Sequence, residues 1–326
     1  MPNPTAATAR EPSSLAVALP WWQRASVSLW KWFDSAAAGE HAGAVDRIAW
    51  LRILPFIALH LSCVAVIWVG VSTTAVLVAV VLYAVRMFAV TAFYHRYFAH
   101  RTFRTSRALQ FVFAVIGASS VQRGPLWWAA HHRRHHLYSD TELDPHSPKL
   151  RGFLWSHMGW FLTPQGFQTD WRRIPDLVRY PELRWLDRFD IAAPVGLALL
   201  LYGAGAWLRA VNPDLGTSGA QLLVWGFCIS TVALFHATVT VNSLAHRFGT
   251  RRFETRDASR NNFWIALLTF GEGWHNNHHF YPGCARQGFR WWEIDVTYYA
   301  LRLMAAFGLV KGLKPVPARI LARGSR

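Results

Sequence analysis

Cysteine, acid and charge are all scarce in this chain of 326 residues. The three cysteines, Cys63, Cys228 and Cys284, form no C-x-x-C pair. That excludes a zinc ribbon, a rubredoxin-like element and a thioredoxin-like motif, and leaves no recognisable electron-supplying domain. Lone cysteines fit polar parts that face a reducing compartment. Charged residues make up only 16%, against about a quarter in an ordinary soluble domain. Acidic residues number 18 against 34 Lys and Arg. In a soluble protein that excess points to nucleic acid, but an apolar content of 52% makes a membrane the first class to test. Residues 1–20 lack a basic stretch ahead of a clean apolar run, so they do not read as a secretory signal. Their Ala, Pro, Ser and Thr content reads as disorder.

Long uncharged runs are abundant. No Asp, Glu, Lys or Arg occurs from Ile53 to Val85, and a polar break at Gly70–Thr74 divides that run. A first span near Ile53–Val69 and a second from Ala75 past Arg86 toward Tyr94 are each close to the roughly 20 residues a bilayer requires. Arg86 is costly in lipid and tolerable if the second helix continues into a polar head. Leu109–Val121 is short for a span and reads as a helix in that head or at the interface. A third span covers Ile191–Trp207, and a fourth lies within the uncharged run Leu215–Ala245. Trp21-Trp22-Gln23-Arg24 and Trp30-Lys31-Trp32-Phe33 have the composition of a membrane interface.

The expected fold is therefore an all-α integral membrane protein, with four transmembrane helices in two hairpins and a helical cap. Lys and Arg number 5 in residues 1–52, 14 in 96–189 and 13 in 247–326, with only Arg86 and Arg209 elsewhere. The positive-inside rule puts these segments and both termini on the cytoplasmic side of an inner or plasma membrane. Topology then accounts for most of the net charge of +16 and argues against a nucleic-acid partner.

Nine of the 15 histidines gather at the cytoplasmic ends of these runs. They are His95 and His100, then His132, His135 and His136, then His246, and finally His275, His278 and His279. The second and last sets share an H-x-x-H-H pattern, which on a helix turns three imidazoles roughly one way. Nine imidazoles exceed the capacity of one ion and suit two, and iron, copper or zinc accepts such ligands. Asn242, four residues before His246, is placed to orient a metal-bound water. Two redox metals beside a membrane point to O2 chemistry on a lipid-like substrate. His131 matches no ligand position, His146 and His157 read as supporting groups, and His236 as a buried polar contact. His41 and His60 have no context.

The boxes His95-x4-His100, His132-x2-His135-His136 and His275-x2-His278-His279 resemble those of membrane fatty-acid desaturases. Asp144-Pro145-His146-Ser147-Pro148, Trp155-Ser156-His157-Met158-Gly159-Trp160, Asn242-Ser243 and Gly271-Glu272-Gly273-Trp274 look like the acyl-CoA Δ9, stearoyl-CoA-type branch. The resemblance runs from about Ile53 to Leu313. It implies residues 1–48 as an N-terminal segment, 49–315 as a membrane desaturase domain and 316–326 as a basic tail. It further implies a cytoplasmic cap with two Fe ions on the nine histidines, a water held by Asn242, and O2 as co-substrate. The implied reaction inserts a cis double bond, at Δ9, into a saturated fatty acyl-CoA, with membrane lipid as a further partner. Electrons would come from a separate ferredoxin-type protein or flavin/iron–sulfur reductase. Tyr83, Met87 and Tyr94 form a helical stripe expected to line or cap the acyl tunnel. Arg96, Arg101, Arg104, Arg123, Lys149 and Arg151 are expected cations for the CoA phosphates, or alternatively for anionic lipid. The rival readings are a hydroxylase or an acyl-lipid desaturase on the same scaffold, and a metal transporter, which the one-sided histidines disfavour.

Overall fold

The computed structural model describes residues 20–37 and 46–323. The expected disorder of residues 1–19, His41 and the last three residues of the basic tail lie outside the described residues. Four helices are long and apolar enough to cross a membrane: Trp50–Val69, Thr73–Ala99, Ala192–Val211 and Pro213–Ser243. Each matches one of the four expected spans, the second running on past Tyr94 to Ala99. The first is mostly uncovered by the rest of the chain, with Ile67 and Trp68 exposed, whereas the fourth is largely buried. Exposed apolar surface on this scale needs lipid or a partner to cover it.

The fourth span is the hub and packs against each of the other three. At one end of the bundle, Gln221 Nε2 donates to Val69 O at 2.8 Å and Trp225 Nε1 donates to Gly70 O at 2.9 Å. Gly70 sits at φ 68°, a conformation that favours glycine, and Ser72 caps the second span by accepting from Ala75 N. At the opposite end the histidines collect.

Arg86 is buried in the second span, and its burial is compensated in place. Its guanidinium donates to Thr231 Oγ1 at 2.6 Å, Ser119 O at 3.2 Å and Ser230 Oγ, and its Nε to Leu82 O at 3.1 Å. Hydrogen bonds to the fourth span, to Ser119 and within its own helix are what make the charge tolerable. The short apolar run folds as Arg107–Ala118, capped by Ser106, and packs on the second span. There Gly117 has no room for a side chain, because a Cβ would lie 2.3 Å from the Tyr94 ring.

Past Phe88 the second span widens. Ala89–Ala99 is a π-helix, and His100 N donates to His95 O, five residues back, at 3.2 Å. In an α-helix, residues five apart point about 140° away from each other. The wider turn instead brings the His95 and His100 rings to 4.9 Å between centroids. An extended π segment at a candidate site is uncommon and was not foreseen from the sequence.

The other histidines stand on short helices closed over this end. Pro125–Tyr138 carries His132, His135 and His136, and His275–Phe280 carries His275, His278 and His279. Asp187 Oδ1 accepts from Leu126 N at 3.0 Å and Trp127 N at 2.8 Å, fixing the start of the first of these. A two-stranded antiparallel ribbon, Arg104–Thr105 with Val310–Lys311, ties the C-terminal part down. Ile320, in the expected tail, is buried against Phe253, Cys284 and Phe289.

Candidate metal centre and acyl cavity

All nine histidines converge, and they do so as two groups. His95, His100, His132, His136 and His278 form one, and His135, His246, His275 and His279 the other. Within each group the ligating atoms all lie within 4.8 Å of one another. Nε2 atoms face each other at 3.0 Å for His95 and His278, 2.8 Å for His100 and His132, and 2.9 Å for His136 and His278. In the second group His246 and His275 do the same at 3.0 Å. Nitrogens bonded at about 2.1 Å to one ion, at right angles, lie about 3 Å apart. His279 Nε2 is buried with no partner while its Nδ1 is held. The donor set therefore fits two transition-metal ions.

Four carboxylates stand behind the imidazoles. Asp257 Oδ2 lies 2.7 Å from His279 Nδ1, Asp140 Oδ2 3.0 Å from His246 Nδ1, and Asp144 Oδ1 3.2 Å from His135 Nδ1. Glu272 meets His95 Nδ1, supported by Gln287 Nε2 at 3.0 Å. Accepting the hydrogen bond from Nδ1–H fixes the proton there and leaves Nε2 as the free lone pair of each ring. None of these acids was picked from the sequence as a site residue, though Asp144 and Glu272 stand within the quoted motifs.

Electrostatics keep most of the ligands neutral. Burial, reinforced by neighbouring imidazoles, holds His132, His136, His275 and His278 well below the usual histidine range. Burial pushes His279 down to about 4 against the pull of Asp257. His135 goes the other way: burial opposes the charge, but Asp144, Asp140 and Asp257 together raise it. Asp140, Asp144 and Asp257 are buried, yet their histidine partners hold them below the ordinary carboxylate range.

Backbone strain gathers around the same groups. Arg101, Asp140 and Phe270 have positive φ of 53°, 58° and 56°, next to His100, the Pro125–Tyr138 helix and Gly271. Gly271 itself is at φ 123°, and a Cβ there would meet Asp295 Oδ1 at 2.5 Å. At Gly273 a Cβ would lie 2.1 Å from Ala266 N. The Gly-Glu-Gly lead-in is thus the sequence that lets Glu272 reach His95 past close backbone.

Two cavities border the centre. A small one of about 40 Å³ is walled by Met87, His95, His132, His135, Asn242 and His275. Asn242 is on the last turn of the fourth span, and His246 follows in a turn rather than on the same helical face. A larger cavity of about 570 Å³ touches His132 and Asn242 at one end. Its walls include Trp127, Trp128 and Phe235, and it reaches Arg52 and Arg123.

The structure separates the other expected substrate residues. Met87 lines the small cavity, but Tyr83 donates to Leu268 O at 2.7 Å and Tyr94 to Ala114 O at 3.1 Å, and neither lines these two cavities. The expectation for Arg96 is corrected. It is buried, 3.0 Å from both Glu272 and Asp295, and so braces the His95 carboxylate instead of meeting substrate. Arg101 pairs with Asp176 at 2.7 Å, and Arg151 with Asp46 at 2.7 Å while stacking on Trp155. Lys149 is exposed, Arg104 is in the ribbon, and Arg123 alone of this set borders the larger cavity. Arg52, which also borders it, was missed, because nothing in the sequence marks one cation at the start of a span.

His157, His236 and His60, which offered little in the sequence, form a chain. His157 Nδ1 is 2.9 Å from Ser243 Oγ, its Nε2 3.0 Å from His236 Nδ1, and His236 Nε2 3.3 Å from His60 Nε2. His131 contacts Gln168 O at 2.9 Å, and the His146 ring lies tilted beside His135, 4.3 Å between centroids.

The chain matches the family model described as fatty acid desaturase over residues 68–309. It is 38% identical over 228 residues to an sn-2 palmitoyl-lipid 9-desaturase of Nostoc sp. (strain 36), covering 68% of this chain and 75% of that protein. Identity to an acyl-CoA 5-desaturase of Anemone leveillei is 38% over 225 residues, 68% of this chain and 65% of the relative. An sn-1 stearoyl-lipid 9-desaturase of Anabaena variabilis is 37% identical over 214 residues, 65% and 74% of the two chains. The apolar spans, the paired histidine groups and these matches lead to one conclusion: this membrane protein belongs to the fatty acid desaturase family.

Proposed function

We propose that the protein uses O2 and external electrons to introduce a cis double bond at the Δ9 position of a saturated acyl chain. The observation that carries this reading is the division of nine imidazoles into groups of five and four beside an apolar cavity. His95, His100, His132, His136 and His278 would hold one iron. His135, His246, His275 and His279 would hold the other, with a water on Asn242. Iron in these positions supplies the oxidising power with O2 that removal of hydrogen from two neighbouring methylenes demands.

The protein's own part is position. Methylenes offer no polar handle, so the cavity walls alone decide which carbons reach His132 and Asn242. Asp257, Asp140, Asp144 and Glu272 fix ring orientation through Nδ1. The apolar walls keep water from the reacting carbons.

The spans are read as two hairpins with a cytoplasmic cap, both termini on the same side, supported by the Lys and Arg count. The division into 1–48, 49–315 and 316–326 belongs to the same proposal. A separate ferredoxin-type protein or flavin/iron–sulfur reductase supplies electrons. CoA, implied by the sequence motifs, and a glycerolipid, named for the cyanobacterial relatives, are the two acyl carriers in question.

Expression in a host that lacks unsaturated fatty acids tests the reading, with mass spectrometry locating any new double bond. Iron near about two per chain is expected, and loss of both iron and product in His132→Ala and His275→Ala. An alcohol in place of an alkene would favour the hydroxylase, and full iron in both variants would overturn the ligand assignment.

A further inference from the structure

The larger cavity is a slot rather than a closed tunnel. Its lining follows the fourth span from Leu223 to Asn242, a climb of about 28 Å at the helical rise. The first span contributes residues from Arg52 to Ser62 and the third contributes Pro194, Val195 and Ala198. Both spans pack on the fourth, and both contribute to the slot lining. Ala58 and Val195, on these two spans, are exposed. The slot thus lies along surface that the apolar spans present to lipid, and it leads inward to His132 and Asn242.

Its charged residues, Lys31, Arg52, Arg123 and Asp190, sit where the first span begins and just before the third. The Arg52 guanidinium lies over the Phe167 ring at 4.0 Å. Its Nε and Nη2 are buried and have no hydrogen-bond partner. Asp190, the acid lining this end, is 3.1 Å from Arg123 Nε. Lys31 and Trp32 complete the rim. A planar cation with unused N–H groups above an apolar slot is complementary to a phosphate oxygen on the end of an acyl chain.

We propose that the slot is a lateral port, through which an acyl chain still esterified in a membrane glycerophospholipid reaches the histidines directly from the bilayer. Arg52 holds the lipid phosphate. The proposal rests on the desaturase reading for the fate of the chain, but the binding step needs neither iron nor electrons. It names a carrier, an anionic phosphate lipid, over a CoA ester arriving from water.

Photolabelling of the purified full chain in vesicles tests it. The probe is a phosphatidylglycerol with a diazirine in the middle of its sn-2 stearoyl chain. Peptides bearing Trp128, Thr238 and Asn242, which line the slot beside His132, are expected to carry the label, and excess stearoyl-CoA to leave them labelled. Arg52→Gln is expected to cut this labelling about five- to tenfold, the loss of one charge-assisted contact. Arg52→Lys should restore part of it, and Arg151→Gln should leave it unchanged. Label confined to outward residues such as Leu199, Leu200 and Trp207 would mean annular lipid and overturn the port. So would displacement of the slot label by stearoyl-CoA, or equal labelling in Arg52→Gln. Alkene formation in cells is scored separately: slot labelling without alkene supports the port and removes the desaturase reading, while alkene without slot labelling does the reverse.

Discussion

Asp257 and His279 show how a single side chain decides whether an imidazole can serve as a ligand. With Asp257 at 2.7 Å accepting from Nδ1–H, Nε2 of His279 is left bare in a buried group. Asp257→Ala removes that anchor, frees the ring to rotate, and takes a negative charge away from a site meant for cations. Loss of such a partner typically weakens metal affinity about 10- to 100-fold. Iron titration of the variant is expected to show one site weakened and the five-histidine site retained; two unchanged sites would refute the role. Acid acts on the same chemistry in the metal-free protein. Burial holds His131 and His279 neutral down to about 4 and His146 down to about 3. The unfolded chain takes up these protons near about 6.5. Between those values the unfolded state holds more protons, so stability rises with pH there. Stability should be full above about 6.5 and fall steadily toward about 4. The thermal midpoint of the metal-free protein in detergent at pH 7, 6 and 5 checks this, and a flat profile would count against neutral buried rings.

Among the elements, the Pro125–Tyr138 helix places three ligands at once, and its start depends on one carboxylate. Asp187 Oδ1 accepts from both Leu126 N and Trp127 N while its Oδ2 accepts from Thr169 Oγ1 at 3.0 Å. Asp187→Ala leaves two buried N–H groups without an acceptor, a cost of about 1–3 kcal/mol. The expected result is a thermal midpoint lower by several degrees, with iron lost from both sites, since His132 and His136 serve one group and His135 the other. A lower midpoint with full iron would show that the cap does not set the ligands. Elements also mark the limit of what the sequence tells. The H-x-x-H-H boxes were legible because ligand spacing is a local, helical property. The pairing of His95 with His100 across a π turn was not, because periodicity is read at 3.6 residues per turn. The four carboxylates were equally hidden: Asp140 lies 106 residues from His246, and only the folded chain brings them together. Arg96 looked like a free cation for the same reason, since its partners Glu272 and Asp295 are distant in sequence.

For the molecule as a whole, the Gly70–Gly219 end of the bundle and the metal centre lie at opposite ends of the spans, so the two should respond separately to mutation. The uncharged runs were enough to find the four spans, but not the close contacts that let the fourth become the hub. Gly205 on the third span lies against the first part of the fourth: a Cβ there would stand 2.4 Å from Ser218 O and 2.9 Å from Gly219 Cα. Reciprocally, a Cβ on Gly219 would meet Tyr202 O at 2.6 Å. These contacts are backbone, which cannot swing aside, and small residues at such crossings are what allow spans to approach within a bilayer. Gly205→Val must therefore push the third span off the fourth, at a cost of about 1–3 kcal/mol for overpacking. The region is held by Gln221 to Val69 and Trp225 to Gly70, at the end away from the histidines. The variant is expected to unfold at a temperature several degrees lower while still binding about two irons per chain when folded in the cold. Iron loss without a change in midpoint would mean that the two ends are coupled more tightly than their packing indicates. An unchanged midpoint would mean that the spans can part at Gly205 without strain.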